Sequence, residues 1–97
     1  MTVIVLSKLD LEKAQLAGQI AKLEKGSKIF LLSDATYLVK EKTALAAFRE
    51  LMENGAQVLA LNEDFIRRGI EPVNEVSLVN IEDFVDTIMI GVRIVNL

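Results

Sequence analysis

Polar and charged side chains stand directly after three apolar segments of this 97-residue sequence. They are Ser7, Lys8, Ser33, Asp34, Asn62, Glu63 and Asp64. Their hydroxyl, amide and ammonium groups are donors for a small polar or anionic ligand, and their carboxylates are oxygen ligands of the kind that Mg²⁺ and Ca²⁺ prefer. The structural alternative is that asparagines cap helices, a contribution of roughly 1 kcal/mol each, and that acids interact with helix dipoles.

A second charged cluster consists of Glu63 and Asp64, followed by the adjacent pair Arg67 and Arg68. Residues four apart are neighbours on a helix, so Glu63 and Arg67 are expected to pair. Asp64 and Arg68 have the same spacing. The functional interpretation is a surface that docks a partner protein, with Phe65, Arg67 and Arg68 as the candidate contacts.

The sequence contains neither cysteine nor histidine. Without cysteine it has no disulfide, no thiolate metal site and no persulfide chemistry of its own. Without histidine it lacks the commonest general base and the commonest transition-metal ligand. Its five glycines are isolated, so it has no glycine-rich loop of the kind that binds nucleotide phosphates. We therefore predict a protein that is not an enzyme and uses no cofactor or metal; carboxylate chemistry on a metal ion is the remaining catalytic alternative.

Apolar segments alternate along the chain with segments of helical periodicity. We predict strands over residues 2–7, 28–33, 57–61, 76–80 and 93–97, and helices over residues 11–25, 42–53 and 63–68, with a last helix that Gly91 ends. Strands separated by helices pair in parallel through right-handed crossovers. The sequence thus predicts a single α/β domain over residues 1–97, a three-layer α/β/α sandwich with a mainly parallel five-stranded sheet. Ligands and partners of such sheets gather at the carboxyl ends of the strands.

Several helix ends carry capping residues. Asp10 and Asn62 are predicted N-caps, and Asn80 with Asp83 three residues later resembles a capping box. In the last helix, apolar residues recur at helical spacing and predict one buried stripe, formed by Ile81, Phe84, Val85, Ile88 and Met89.

The sequence is 52% hydrophobic, which is a large apolar fraction for a small domain to bury. One explanation is that a partner covers the excess in an oligomer, and another, compatible with the first, is that helices cover both faces of an apolar sheet. The net charge of −3 and the lack of a basic run argue against direct nucleic-acid binding. No segment is apolar enough to span a membrane and no signal peptide is evident, so we expect a cytoplasmic protein.

Residues 58–70 read VLALNEDFIRRGI, residues 76–89 read VSLVNIEDFVDTIM and residues 28–39 read KIFLLSDATYLV. These segments resemble the DsrH/TusB family of DsrE/DsrF/DsrH-like sulfur-relay proteins. The resemblance implies a DsrEFH-like fold and a subunit role in assemblies, often hexamers, that carry sulfur for 2-thiolation of the wobble uridine in tRNA or for sulfur oxidation. It also implies a partner subunit that carries persulfide on a cysteine.

Sulfur transfer requires a thiolate nucleophile at the donor and another at the acceptor. Because this chain has no cysteine, we predict a non-catalytic subunit of a cytoplasmic sulfur relay that docks a cysteine-bearing DsrE- or DsrF-like partner. The alternative hypothesis is a homo-oligomeric module that binds a small ligand at the polar ends of its strands.

Overall fold

A computed structural model describes residues 1–90 and 93–97 of the chain. Five strands form one sheet in the order β4-β3-β2-β1-β5, and the neighbouring strands pair in parallel. The strands are β1 (Thr2–Leu6), β2 (Lys28–Leu31), β3 (Gln57–Leu61), β4 (Ser77–Val79) and β5 (Arg93–Asn96). The helices are α1 (Leu11–Leu23), α2 (Lys42–Glu53), α3 (Asn62–Arg68) and α4 (Ile81–Ile90), with a 3-10 helix (Ser33–Lys40) between β2 and α2. The predicted α/β sandwich with a parallel sheet is confirmed.

The path of the chain decides which helices cover which face of the sheet. β1 to β4 follow one another across the sheet, and β5 then returns to the far side of β1. Because parallel crossovers are right-handed, the steps in one direction place α1, α2 and α3 on one face. The return step places α4 on the opposite face. Of the described helices, α4 is therefore the one that covers this second face.

The larger core lies between the sheet and the first three helices. Strand residues that point to this face include Ile4, Ile29 and Val58, each at most 2% exposed. Ala17 of α1 is small enough to let that helix lie close to the sheet, and Phe48 of α2 fills the remaining space. Burying a large aliphatic or aromatic side chain contributes roughly 1.5–3 kcal/mol. This packing fixes β1, β2 and β3 against each other and thus fixes the position of their carboxyl ends.

The smaller core lies under α4. Val3, Phe30 and Leu59 are buried there and pack against the half-buried Phe84 and Ile88. The rings of Phe30 and Phe84 meet edge to face, with centroids 4.9 Å apart and an interplanar angle of 76°. This geometry is favourable for aromatic quadrupoles and holds α4 over the middle of the sheet.

The predicted buried stripe of α4 is wrong for three of its five residues. Ile81, Val85 and Met89 are exposed, whereas Phe84 and Ile88 are half-buried. A helix that lies on a sheet turns one side towards it, and in α4 that side carries the two half-buried residues. The other three residues, spaced by four, lie on the flank of the helix and remain at the surface.

Two of the predicted helix caps are confirmed. The Asp10 carboxylate accepts a hydrogen bond of 3.1 Å from the backbone N–H of Lys13. The Asn80 side chain accepts one of 2.8 Å from the backbone N–H of Asp83, whose carboxylate in turn accepts a longer one of 3.4 Å from the Asn80 N–H. Asn80 and Asp83 thus form the reciprocal arrangement of a capping box at the start of α4.

The predicted N-cap at Asn62 is wrong. α3 begins at Asn62 itself, and Leu61 occupies the N-cap position with no capping side chain among the described residues. The helix ends at Arg68, as predicted, and the next residue, Gly69, has a φ of 64°, a left-handed conformation that glycine adopts without strain. The 3-10 helix Ser33–Lys40 lies largely between the predicted strand over residues 28–33 and the predicted helix over residues 42–53, where no element was predicted.

Strand ends shift by one or two residues: β1 stops at Leu6, β2 at Leu31 and β4 at Val79. Gly91, the predicted end of the last helix, lies outside the described residues. Within residues 1–90 and 93–97, no helix has both the length and the apolar character that crossing a membrane requires.

Candidate functional site

The parallel register brings the carboxyl ends of β1, β2 and β3 to one edge of the sheet. The three strands are in register up to Leu6, Leu31 and Ala60. The polar residues that follow them are therefore neighbours along this edge, which we name the strand-end rim: Ser7, Lys8, Ser33, Asp34, Asn62, Glu63 and Asp64. The structure thus brings together the segments that the sequence singled out, but their side chains differ in what they contact.

Asp64 is the centre of the strand-end rim. Its side chain is buried, and Oδ2 accepts a hydrogen bond of 3.0 Å from the backbone N–H of Ser33. Oδ1 accepts one of 3.1 Å from Nη1 of Arg68, so that the predicted pair at a spacing of four is confirmed. Nε of Arg68 also lies 3.5 Å from Oδ1 of Asp34. The Asp64 carboxylate therefore links α3 to the end of β2.

Ser33 has an unusual backbone conformation at this point. Its φ is +50°, in the left-handed region, which costs a residue with a Cβ about 1–2 kcal/mol. Its N–H donates to the buried Asp64 carboxylate, and its carbonyl accepts a hydrogen bond of 2.6 Å from the Thr36 hydroxyl. A hydrogen bond to a charged, partly desolvated acceptor is strong enough to offset this strain. Asp64 thus holds β2 and the 3-10 helix at a sharp turn.

This arrangement does not favour a metal ion at the strand-end rim. The guanidinium of Arg68 lies between the carboxylates of Asp34 and Asp64, where it supplies the positive charge that a cation would otherwise bring. Glu63 is exposed and lies outside this ion pair. The described part of the chain has no group of three or more His, Cys, Asp or Glu residues arranged to hold a metal.

The three docking candidates of α3 have different surroundings. Phe65 is only 1% exposed and belongs to the larger core, which removes its side chain from the surface. Arg68 is held by its two carboxylates. Arg67 is exposed, and the ion pair expected between Glu63 and Arg67 is not formed in the described structure. Ile66 is 71% exposed and is a surface residue of this helix that sequence reasoning missed.

The side chains of the strand-end rim that remain exposed are those of Ser7, Lys8, Ser33, Asp34, Asn62 and Glu63. They offer hydroxyl, ammonium, amide and carboxylate groups, and no thiol or imidazole. This set can form hydrogen bonds with a ligand or a partner. It contains no nucleophile paired with a base, which covalent catalysis would require.

Carboxyl groups with a lowered pKa lie away from the strand-end rim. The Thr2 hydroxyl and the Arg93 guanidinium beside Glu24 lower the pKa of its carboxyl. A hydrogen bond from Arg49, whose Nη2 lies 2.6 Å from Oε2 of Glu75, lowers the pKa of that carboxyl. Glu24 follows α1 and Glu75 precedes β4, so both lie towards the amino ends of the strands. These pairs are structural links and do not tune chemistry at the strand-end rim.

An open groove of about 460 Å³ lies between α1 and α2. The groove is open because three of its lining residues have a small side chain or none: Ala14, Gly18 and Ala47. Lys22 and Glu50, which also line it, form a salt bridge of 3.2 Å. The lining residues come from these two helices alone, so the groove is separate from the strand-end rim.

An exposed apolar surface lies on α4. Ile81, Val85 and Met89, which we name the α4 stripe, are 47%, 45% and 78% exposed and follow one line along the helix. Exposed carboxylates of Glu82 and Asp86 lie on the same helix. Sequence periodicity identified the apolar residues of α4 but could not tell which of them the sheet would cover.

Comparisons with solved structures show similarity over nearly the whole fold. The YchN protein of E. coli matches with a TM-score of 0.83 and 16% identity, covering 99% of this chain and 97% of that one. The protein BT1422 of Bacteroides thetaiotaomicron, described as conserved and of unknown function, matches with a TM-score of 0.85, 14% identity and coverage of 99% and 93%. MTH1491 of Methanobacterium thermoautotrophicum, also described as of unknown function, has a TM-score of 0.77, 13% identity and coverage of 99% and 97%.

At these identities the likeness concerns the fold. A search of curated protein sequences found no significant match. A protein-family model described as "DsrH like protein" matches residues 10–91, which include β2, β3, β4, all four helices and the strand-end rim from Ser33 to Asp64. The chain therefore belongs to the DsrH-like family.

Proposed function

We propose that this protein is a non-catalytic subunit of a cytoplasmic sulfur-relay complex, and that it acts by docking a cysteine-bearing subunit of the DsrE or DsrF kind. Membership of the DsrH-like family supports a place in such a relay. The resemblance stated above implies two pathways for it, 2-thiolation of the wobble uridine in tRNA and sulfur oxidation.

The observation that carries the proposal is the absence of cysteine from the sequence. A persulfide forms on a thiolate, and both ends of a sulfur transfer need one. The three methionines are thioethers and cannot take this role. The chain can contribute shape, apolar contacts and hydrogen bonds beside the reacting sulfur, which a partner supplies.

Two features of the described residues support a docking role. The α4 stripe leaves large aliphatic side chains in solvent on a helix that is well held to the sheet by the Phe30–Phe84 contact. Exposed apolar groups on a rigid element are typical of protein interfaces. At the strand-end rim, the Asp64 network fixes the backbone beside exposed Ser7 and Asn62, where partners of parallel sheets commonly bind.

The experiment is purification of the tagged full chain, at its native level, from its own host. We expect a DsrE- or DsrF-like protein with a reactive cysteine to co-purify in a fixed ratio, and the cysteine of that protein to carry persulfide after incubation with a sulfur donor. Repeated recovery of this chain alone, or as a homo-oligomer, would contradict the proposal. So would transfer of sulfane sulfur by the purified chain in the absence of any other protein.

A further inference from the structure

The side chains around the α4 stripe indicate what kind of surface covers it. At 100° per residue, Ile81 lies only about 20° from the half-buried Ile88 around the helix axis, and Val85 about 60° from it. The α4 stripe is therefore the continuation of the side that packs on the sheet. Met89 lies furthest from the sheet-facing side and is the most exposed of the three residues, at 78%.

Acidic residues border the other edge of the α4 stripe. Glu82 lies about 20° and Asp86 about 60° beyond Met89 on the same helical projection. Both are exposed, and neither takes part in a salt bridge within the described residues. Asp83 is the third acid of α4 and is engaged at the capping box. α4 has no lysine or arginine over Ile81–Ile90, so the charge that this helix itself carries beside the α4 stripe is of one sign.

This charge pattern discriminates between two occupants. A second copy of the chain in a two-fold contact would present the same patch, with the same carboxylates, so acid would meet acid at the border. Like charges brought together at an interface are unfavourable, which disfavours the pairing of two copies through this patch. A partner surface with apolar residues at its centre and lysine or arginine at its edge would complement both the α4 stripe and its acidic border.

The size of the patch agrees with a core within a larger interface. A stable interface buries about 800 Å² on each partner, more than three side chains provide. Its centre is apolar and its border polar, which is how the α4 stripe and its acids are arranged. Ile94 of β5, 38% exposed, points to the same sheet face as Val3 and extends the apolar area.

We infer that the α4 stripe, bordered by Glu82 and Asp86, is the surface that receives the cysteine-bearing partner, and that the partner presents an apolar patch edged with basic side chains. This inference rests on the proposed function and assigns it a surface. It also implies that binding of a second copy of this chain to the same face is unfavourable.

The test uses the full chain and the cysteine-bearing DsrE- or DsrF-like protein of the same organism, both purified, with affinity measured by titration calorimetry. Met89→Asp and Val85→Asp are expected to weaken binding at least about tenfold, as replacement of residues at an interface centre does. Leu23→Asp is the matched control, because Leu23 is 86% exposed on α1, on the opposite face of the sheet. It should bind within about twofold of the wild type. Circular dichroism and melting temperature confirm that each variant is folded.

A charge reversal separates the two occupants. Glu82→Lys with Asp86→Lys should weaken the partner about tenfold and reduce the dependence of its affinity on salt. If a second copy occupied the face, this variant would instead associate with the wild-type chain when the two are mixed, which sedimentation velocity would detect. That association would overturn the inference.

The remaining outcomes are also distinct. If the partner binds wild type, Met89→Asp and Val85→Asp equally, the inference is wrong while the proposed function stands. If no cysteine-bearing partner binds the wild type, both are overturned.

Discussion

The Asp64 carboxylate holds together two segments that are 31 residues apart in the sequence, so Asp64→Ala tests how the strand-end rim is built. Two interactions are lost in this variant. The Ser33 N–H loses a charged acceptor, a change of about 1.5–3 kcal/mol. Arg68 loses the closer of its two carboxylate partners, Asp64, while its own side chain remains only 17% exposed.

The size of the effect follows from how far the ion pair is buried. Breaking a buried pair costs roughly 3–5 kcal/mol, whereas an exposed pair contributes at most about 1 kcal/mol. Arg68 keeps its contact with Asp34 at 3.5 Å, so the loss of its ion pair with Asp64 should cost near the lower value, about 1 kcal/mol. For the lost hydrogen bond and the lost ion pair together, we expect a decrease of about 3 kcal/mol in the free energy of unfolding. For a domain of this size that corresponds to a melting temperature lower by about 12–24 °C.

Urea unfolding followed by circular dichroism measures this quantity. Asp34→Ala is the control, because Asp34 is 70% exposed and its single contact to Arg68 is long, so the loss should be below about 0.5 kcal/mol. In a Ser33→Gly background the turn carries no Cβ strain that the variant could relieve, so Asp64→Ala should cost at least as much as it does in the Ser33 chain. A loss below about 1 kcal/mol for Asp64→Ala, or one equal to that of Asp34→Ala, would refute the argument.

Three further predictions concern separate parts of the molecule. Arg49 lowers the pKa of Glu75 in the folded state, so this carboxylate stabilises the fold at pH values above its ordinary pKa of 4.5, and the contribution is lost as the pH falls below that value. Glu75→Gln should therefore flatten the acid limb of a plot of unfolding free energy against pH, and an unchanged slope would contradict the assignment. Asp10→Ala should cost about 1 kcal/mol of unfolding free energy as a lost cap, whereas Asn62→Ala should cost less than about 0.5 kcal/mol; equal losses in urea would show that Asn62 caps after all. Gly69→Ala should lower the unfolding free energy by about 1 kcal/mol because its φ is positive, and a neutral effect in the same assay would mean that the turn relaxes.

The order and kind of the elements followed from the sequence because they depend on local signals. α2 and β3 have the bounds that apolar periodicity predicts, and the Asp10 cap is made within one turn of helix. The N-cap at Asn62 failed although asparagine is a good capping residue. The helix starts one residue earlier than the pattern indicates, and such boundaries shift easily by a residue.

The contacts of the strand-end rim were less accessible to prediction. The sequence could propose the pair of Asp64 and Arg68 from their spacing, and it is formed. It could not show that the other Asp64 oxygen accepts a hydrogen bond from Ser33, since this depends on β2 and β3 being neighbours in the sheet. For the same reason it could not show that Phe65 points into the core while Ile66 next to it points to solvent.

The large apolar fraction left two explanations open, a sheet covered on both faces and apolar surface left for a partner; the topology shows the first and also leaves apolar side chains exposed. Helices do cover both faces, so the strands are apolar throughout their central part. The return of the chain to β5 nevertheless provides only α4, ten residues long, on the second face among the described elements. One helix cannot turn all its apolar residues to the sheet, and the α4 stripe, together with Ile90, remains in solvent. The strand order 4-3-2-1-5 thus leaves an apolar surface exposed on this face of the sheet, and this is the surface that we propose receives the partner.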